Sequence, residues 1–394
     1  MIVLGINAYH ADSSACILID GVVKAAIEEE RITRIKHWSG FPIKSIEFCL
    51  NETNLKLQDV HYVTIGRDPK AKFLSKIKFL ILNPLNFISF FVRLVNFKKI
   101  NSIENELKKI DSSFRAKIYN VEHHRAHLTS SFFASPFDES LIVSIDGSGD
   151  FSTTMFAYGK GNKIKVLDSI DFPNSLGIFY TSLTQWLGFL NYGDEYKVMG
   201  LAPYGKPIYV DKIKNLIILE DNGKFKLNTN YFIKNIIGAV HYVGNIPITP
   251  ILYNNNLINL IGPNRPNNND SLTQYHKDIA SSVQKVCEEV IFHILNGINN
   301  NYNLKNICIS GGVAQNSVAN GKIIENTKFE NLYVPSAGHD AGISIGSALY
   351  LYNHVKGNPR SEPIYHSYFG SSYSNTEIYN ILKKTNLNFE KFSD

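Results

Sequence analysis

Apolar and polar residues follow one order near the N-terminus, and the same order returns about a third of the way along the chain. In the first copy, apolar residues 2–6 lead through a small polar loop, residues 10–14, into two further apolar segments, 15–19 and 22–27. An Asp-Gly pair joins these two segments, and such a pair between strand-like segments is a strong signal of a β-hairpin. The first copy therefore predicts a strand, a polar loop and a hairpin.

In the second copy, apolar residues 141–145 run into the loop Asp146-Gly147-Ser148-Gly149-Asp150. Strand-like segments 153–158 and 164–167 follow, separated by a Gly-rich turn. Two hairpin-bearing copies predict an α/β protein of duplicated lobes, with a ligand in the cleft between them. Small polar loops can approach a phosphate closely, because glycine lacks a Cβ and consecutive backbone N–H groups form an anion-binding concavity.

The two lobes are expected to span residues 1–140, with a helical insert at about 68–110, and residues 141–355. Residues 356–394 are expected to be a linker and the start of a C-terminal domain that is largely missing. An Asn-rich stretch with two prolines, residues 254–269, predicts a long surface loop. Apolar residues at helical spacing predict helices at residues 44–50, 102–110, 181–187 and 278–299.

Composition narrows the function classes. Hydrophobic residues make up 44% of the chain, charged residues 19%, and the net charge is only +5, so a globular protein that does not bind nucleic acid is expected. The four cysteines are widely spaced and the N-terminus lacks the pattern of a secretory signal, which favours the cytoplasm. Polar residues and a proline interrupt the apolar stretch 79–97, so no membrane span is expected.

A pair of histidines is the strongest metal signal. His123 and His127 are four residues apart in a segment predicted to be helical, so they share one face, whereas His124 points elsewhere. Two imidazoles at this spacing also occur in solvated histidine clusters. A carboxylate from elsewhere in the chain is needed to complete a metal site.

Asp340 is the candidate carboxylate, because small residues surround it and it follows the strand-like segment 332–334. Two histidines and one carboxylate form a facial site with open positions, suited to iron, manganese or zinc and to a substrate oxygen. The alternative is that Asp340 is an N-cap of the helix predicted from residue 343.

Two glycine-containing loops are candidates for nucleotide or phosphate binding. Asp146 can join the metal or orient a phosphate, while Gly147, Ser148 and Gly149 admit the phosphate; an ordinary hairpin is the alternative. In the second loop, strand-like residues 306–310 lead into a turn whose N–H groups can hold the ribose or phosphate of a nucleotide. The residues of this turn are Gly311, Gly312 and Asn316.

Four signatures, in this order, closely resemble the O-carbamoyltransferase family that includes the nodulation-factor enzymes and the enzymes that carbamoylate cephem and aminoglycoside antibiotics. The resemblance covers the chain to about residue 352. The signatures are GINAYHADSSACILIDG from Gly5 with EEERITRIKH from Glu28; VEHHRAHLTSSFFASPF from Val121 with SIDGSGD from Ser144; GDEYKVMGLAPYG from Gly193; and ISGGVAQNSVANGKI from Ile309 with PSAGHDAGISIGSAL from Pro335.

The resemblance implies a duplicated two-lobe fold of the actin/acetate-kinase (ASKHA) type, related to the protein that transfers threonylcarbamoyl groups to tRNA. It implies that the domain binds a metal, iron in the family, and passes a carbamoyl group from carbamoyladenylate to an acceptor hydroxyl. Carbamoyladenylate is made from ATP and carbamoyl phosphate in a separate C-terminal domain of the family.

Residue by residue, the resemblance makes His123, His127 and Asp340 metal ligands and places Asp146 at the metal or the nucleotide and Asn316 in the nucleotide loop. It also implies that Asp12, Lys36 and His37 face the substrate. Asp12 or His10 is a candidate general base for the acceptor hydroxyl, and the alternative is that either residue caps a turn.

The sequence departs from the family at its end, where HSYFGSSYSNTEIYNIL from His366 resembles only the opening of the C-terminal domain. The chain is then a fragment, or a separate adenylate-forming domain or protein is its partner, or carbamoyladenylate reaches it by diffusion. Two alternatives stay open: a tRNA threonylcarbamoyl transferase and a non-catalytic remnant that binds nucleotide and metal. A sugar or acetate kinase would share the lobes but would not need the histidine pair.

Overall fold

Two five-stranded sheets form the framework of the protein in a computed structural model that describes residues 1–82, 102–233, 240–266, 271–385 and 387–392. Two further pairs of short strands lie outside these sheets. The strands are β1 Ile2–Asn7, β2 Ser14–Ile19, β3 Val22–Glu28, β4 Tyr62–Ile65, β5 Lys117–Asn120, β6 Glu139–Gly149, β7 Ser152–Lys160, β8 Lys163–Asp171, β9 Ile217–Leu219, β10 Phe225–Leu227, β11 His241–Val243, β12 Ile246–Ile248, β13 Asn306–Ser310 and β14 Asn331–Tyr333.

The two large sheets have the same topology. The first has the order β3-β2-β1-β4-β5 and the second the order β8-β7-β6-β13-β14. In each, three consecutive antiparallel strands are followed by two strands that run parallel to the first strand of the hairpin. This duplication confirms the predicted α/β fold with two actin-like lobes.

Helices fill the space around and between the sheets. Among the described residues, two 3₁₀ turns contain or adjoin candidate site residues, and they are Val313–Gln315 and Asp340–Gly342. The α-helices are Glu29–Thr33, Ile43–Glu52, Phe73–Leu82, Ile103–Ile110, His123–Phe132, Leu176–Trp186, Glu195–Leu201, Val210–Lys214, Asn255–Ile261, Gln274–Asn299, Ser317–Asn320, Ile323–Asn326, Ile343–Leu349 and Asn375–Lys384.

One predicted helix begins earlier than expected and one predicted loop contains a helix, and a capping residue explains each difference. The helix expected at 181–187 begins at Leu176, because the hydroxyl of Ser175 accepts a hydrogen bond from the Ile178 N–H and fixes an earlier start. The expected loop at 254–269 contains the helix Asn255–Ile261, capped by the Asn254 side chain. Residues 267–270 of that loop lie outside the described residues.

The helix Ile343–Leu349 links the two lobes. It follows strand β14 of the second sheet, yet it packs against the first sheet, where the Ser347 hydroxyl lies 2.9 Å from the Thr64 hydroxyl. Its backbone also meets the helix His123–Phe132, since the Thr129 hydroxyl donates to the Gly346 carbonyl at 2.7 Å. A Cβ on Gly346 would lie 1.9 Å from the Ala126 carbonyl oxygen, so only glycine permits this approach. The middle of the helix is thereby held between the lobes.

The insert begins with the helix Phe73–Leu82 and ends with Ile103–Ile110. Most of the apolar stretch at 79–97 lies outside the described residues. No helix of the described part of the chain is long and apolar enough to cross a membrane.

Candidate metal and substrate site

The helix His123–Phe132, here termed the histidine helix, begins at a carboxylate cap. The Glu122 side chain accepts hydrogen bonds from the backbone N–H groups of His124 and Arg125, at 3.2 and 2.8 Å. Burial, reinforced by the nearby charge of Asp150, raises the pKa of Glu122 to about 7. The cap fixes where the helix starts and therefore where its histidines face.

Four side chains converge at the base of the cleft. The Nε2 atom of His123 lies 3.0 Å from Oδ2 of Asp146, and Nε2 of His127 lies 3.3 Å from the same oxygen. Oδ1 of Asp340 lies 3.3 Å from Nε2 of His127 and 3.6 Å from that of His123. One ligand atom from each residue lies within 4.8 Å of all the others, and all four residues are buried. We call these residues the His-Asp cluster.

The outer oxygen of each carboxylate in the His-Asp cluster has a second contact. Oδ1 of Asp146 accepts hydrogen bonds from the backbone N–H groups of Gly147 and Gly312, at 2.7 and 3.1 Å. Oδ2 of Asp340 lies 2.7 Å from Nδ1 of His10. Outer contacts of this kind orient metal-binding carboxylates. The Gly147 and Gly312 N–H groups, expected to face a phosphate, are used by Asp146 in this structure.

Electrostatics in the His-Asp cluster favour charged carboxylates. Burial alone would raise the pKa of Asp146, but the hydrogen bond with His123 and the close contact with His127 bring that pKa well below its usual value. Burial would also raise the pKa of Asp340, but the charge of His10 is the main cause that lowers it. Burial would lower the pKa of His127, yet the close contact of its Nε2 with both carboxylates raises that pKa to about 9. Two anionic oxygens thus face two imidazoles.

The His-Asp cluster fits a divalent cation. Nε2 of His127 and Oδ1 of Asp340 are buried without a hydrogen-bond partner among the described residues, although they lie 3.3 Å apart. Polar atoms rarely remain unsatisfied in a protein interior, and an ion between them would satisfy both. Imidazole nitrogens with carboxylate oxygens suit iron, manganese and zinc.

The middle histidine of the motif has a different position. His124 faces away from the His-Asp cluster, and its Nδ1 lies 2.8 Å from the hydroxyl of Ser144 on β6. Burial lowers the pKa of His124 to about 3, so the ring is neutral. His124 therefore connects the histidine helix to the second sheet.

Gly149 is needed for packing against His123. The strand β6 continues to Gly149, so most of the predicted polar loop is strand, with the turn at Asp150 and Phe151. A Cβ on Gly149 would lie 2.0 Å from Cδ2 of His123, whereas a Cβ on Gly147 would meet nothing within 4 Å. The imidazole of His123 thus occupies the space that any larger residue at position 149 would need.

A cavity of about 1000 Å³ lies beside the His-Asp cluster. Lys36 lies outside the cavity lining, exposed, with its ammonium 5.6 Å from the ring centroid of Tyr196. Gly311, His123 and His127 lie behind the lining, and the other sequence-predicted site residues form part of it. These are His10, Asp12, His37, Asp146, Gly147, Ser148, Gly149, Gly312, Asn316 and Asp340.

A second polar group lines the first-lobe side of the cavity. Nδ1 of His37 lies 2.8 Å from Oδ1 of Asp12, and the Glu30 carboxylate accepts the His37 backbone N–H at 2.7 Å. The edge of His37 also meets Tyr192, with 5.1 Å between the ring centroids. The expected proximity of Asp12 and His37 to the substrate is therefore compatible with the geometry.

Asn316 has a structural partner as well as a place in the lining. Its side-chain oxygen accepts the N–H of Ala319 and caps the short helix Ser317–Asn320. Its amide group also pairs with Gln284 on the long helix Gln274–Asn299. Asn316 therefore holds the loop after β13 in place.

Asp150 connects two distant segments of the chain, although the sequence pattern predicted no role for it. Its Oδ2 accepts the backbone N–H of His123 at 3.0 Å and that of Asp68 at 2.7 Å. Asp150 therefore joins the first turn of the histidine helix to the start of the insert. Its position at the end of the Asp-Gly-Ser-Gly-Asp motif was the only sequence signal.

Duplicated actin-like lobes with a buried cluster of two histidines and two aspartates at the cleft define the class of protein. The family model described as "Carbamoyltransferase N-terminus" matches residues 2–349. The chain belongs to this carbamoyltransferase family.

Two relatives illustrate the range of the family. The chain is 36% identical over 396 residues to the uncharacterised protein sll1178 of Synechocystis, covering 97% of this chain and 62% of that protein. It is 32% identical to nodulation protein NolNO of Sinorhizobium fredii, covering 92% of this chain and 49% of that protein. The chain therefore spans between about half and two thirds of the length of these relatives.

Among solved structures, the chain is similar to component A of (R)-2-hydroxyglutaryl-CoA dehydratase from Acidaminococcus fermentans, with a TM-score of 0.45 and 15% identity over 89% of this chain and 98% of that one. It is also similar to HypF of T. kodakarensis, with a TM-score of 0.43 and 14% identity over 91% of this chain and 48% of that one.

Proposed function

We propose that this chain is the acceptor-side domain of an O-carbamoyltransferase, which transfers a carbamoyl group from carbamoyladenylate to a hydroxyl of a sugar or natural product. The observation that carries the proposal is the convergence of two imidazoles and two carboxylates beside a large cavity in a chain of this family. ATP and carbamoyl phosphate would be used to make the adenylate elsewhere, in a separate domain or protein.

His123, His127 and Asp340, with Asp146 as a fourth ligand, would hold a divalent metal. The resemblance indicates Fe²⁺, and the same donor set accepts manganese or zinc. A bound ion would supply Lewis acidity toward a phosphate or carbonyl oxygen of the adenylate. The nucleotide would lie along the second-lobe residues that line the cavity, including Ser148 and Asn316.

The residues of the chain would orient the two reactants. The acceptor oxygen attacks the carbamoyl carbon, the bond from that carbon to the phosphate oxygen breaks, and AMP leaves with the electron pair. A cavity that binds both reactants in the correct orientation converts a bimolecular step into an effectively unimolecular one.

The hydroxyl proton would pass to His10 or Asp12, which both line the cavity. With Nδ1 of His10 2.7 Å from Asp340, a tautomer protonated at Nδ1 leaves Nε2 as the proton acceptor. Asp12 offers a carboxylate already oriented by His37. Replacement of each with asparagine, and comparison of the pH profiles of transfer, would identify the base.

Transfer from supplied carbamoyladenylate tests the proposal. The metal-loaded chain is mixed with carbamoyladenylate and a panel of sugar and aminoglycoside hydroxyls, with and without an adenylate-forming domain from a relative, and mass spectrometry follows AMP and carbamate ester. Ester that depends on His127 supports the proposal. A second arm offers threonylcarbamoyladenylate and tRNA, and product in that arm alone would replace the proposal with tRNA modification.

A further inference from the structure

One wall of the cavity is apolar and belongs to the insert. Phe73, Ile77 and Leu80 all line the cavity, and their spacing places them on one face of the helix Phe73–Leu82. Phe73 is 60% exposed and Ile77 39% exposed, so this face is open toward the cavity. Apolar side chains left open in a binding cavity gain stability when an apolar ligand covers them.

The insert helix is anchored at its first turn. The ammonium of Lys72 donates to the Ser169 hydroxyl at 2.6 Å and lies 3.1 Å from an oxygen of Asp171, both on strand β8. These contacts hold the start of the helix against strand β8 of the second sheet. The face made by Phe73, Ile77 and Leu80 is therefore a wall with a defined position.

Aromatic packing fixes the middle of the same helix. Phe79 packs edge-on against Phe151 and Phe172, with ring centroids 5.8 and 5.7 Å apart. Phe151 directly follows Asp150, whose carboxylate accepts the N–H of His123. The apolar wall and the His-Asp cluster are thus attached to the same hairpin turn, and one molecule in the cavity can contact both.

We propose that the acceptor is amphiphilic: a hydroxyl-bearing head lies near His10 and Asp12, and an aliphatic or aromatic body covers the face of Phe73, Ile77 and Leu80. This inference rests on the proposed function, because it identifies the acceptor of that reaction. The cavity volume of about 1000 Å³ lies at the upper end of ligand pockets, which leaves room for an acceptor body beside a nucleotide. A wholly polar acceptor would leave the apolar wall in contact with water.

A binding experiment tests the amphiphilic acceptor without requiring transfer. Octyl β-glucoside, kept below its micelle concentration, and methyl β-glucoside are titrated into the chain by calorimetry. Octyl glucoside is expected to bind at least tenfold more tightly, and Ile77→Asn is expected to weaken it at least tenfold. Phe73→Asn serves as a second variant on the same face, at a more exposed position, should Ile77→Asn lower the melting temperature.

Leu74→Asn is the matched control, because Leu74 is 81% exposed on the same helix and does not line the cavity. Octyl glucoside binding that is unchanged by Ile77→Asn and Phe73→Asn, or weakened equally by Leu74→Asn, would overturn the proposal. The proposal would also be overturned if Ile77→Asn and Phe73→Asn lost AMP binding while octyl glucoside binding was unaffected. The apolar wall would then contact the base of the nucleotide. A failure of carbamoyl transfer with octyl glucoside binding intact would instead count against the proposed function.

Discussion

The backbone N–H of Gly312 donates to the Asp146 carboxylate at 3.1 Å, across a separation of 166 residues in sequence. This hydrogen bond joins the loop after β13 to the strand β6 and leaves the second oxygen of Asp146 facing His123 and His127. The two glycine-containing motifs therefore meet at one carboxylate. The orientation of a proposed metal ligand therefore depends on a loop that was expected to bind a nucleotide.

Asp146→Asn is expected to lower metal affinity at least tenfold, or about 1.4 kcal/mol. The amide retains the shape of the carboxylate but removes its charge and one anionic ligand oxygen. Metal content after dialysis against a graded chelator measures the effect. Asp168→Asn is the control, because Asp168 is half exposed and pairs with Lys224 on the surface. Equal metal retention in both variants would contradict the assignment of Asp146.

His123→Ala is expected to release the metal without unfolding the domain. The substitution removes one nitrogen ligand, while the helix that carries it keeps its Glu122 cap. Stoichiometric metal in purified protein, measured together with the circular dichroism spectrum, decides the outcome. His366→Ala, at an exposed position near the C-terminus, should retain the metal. Retained stoichiometric metal in His123→Ala would exclude the assigned site.

His124→Ala should show the opposite behaviour. It removes the contact with Ser144 and leaves a buried space, which costs about 2 kcal/mol of unfolding free energy. Because His124 faces away from the His-Asp cluster, metal affinity in the folded variant should change less than threefold. Urea unfolding and metal titration measure the two quantities. A loss of metal comparable to that in His123→Ala would mean that all three histidines act together.

Gly149→Ala and Gly147→Ala form a matched pair within one motif. The Cβ of alanine 149 would lie 2.0 Å from the imidazole of His123, whereas that of alanine 147 would meet no atom within 4 Å. Gly149→Ala is expected to displace His123, with metal affinity lowered at least tenfold and stability reduced by about 1–3 kcal/mol. Gly147→Ala should match the wild type in both measurements. Similar losses of metal affinity and stability in the two variants would show that any substitution in the motif is harmful, and that the close contact with His123 is not the cause.

Metal uptake should depend on pH through His127. Burial lowers the pKa of His127, but the nearby carboxylates of Asp146 and Asp340 outweigh burial and raise the pKa to about 9. Below pH 9 the metal-free imidazole carries an additional proton, which an ion must displace. Affinity should therefore fall about tenfold per pH unit as the pH drops below 9, and should level off above it.

Manganese titration by calorimetry at several pH values, in buffers of different ionisation enthalpy, counts the protons released. About one proton is expected near neutral pH. Uptake without proton release, at an affinity independent of pH, would show that His127 is neutral before the metal binds.

The sequence by itself determined the two hairpins and the histidine helix. Apolar segments joined by an Asp-Gly pair in the first copy and by a Gly-rich turn in the second predicted both hairpins, because the periods of a strand and of a helix are set locally by the backbone. The same local geometry placed His123 and His127 on one helix face, as the histidine helix confirms. Small flanking residues after a strand made Asp340 a candidate ligand, and the family motif supported it, although the pattern alone did not distinguish it from a helix cap.

Only the tertiary structure decided which distant groups meet. Asp340 reaches the histidines because the helix that follows it crosses to the first sheet, where glycine at position 346 allows two helices to approach closely. The role of Asp150 and the apolar face of the insert helix also depend on contacts between segments far apart in sequence. Such contacts are set by the packing of whole elements against one another, and no local period in the sequence encodes them.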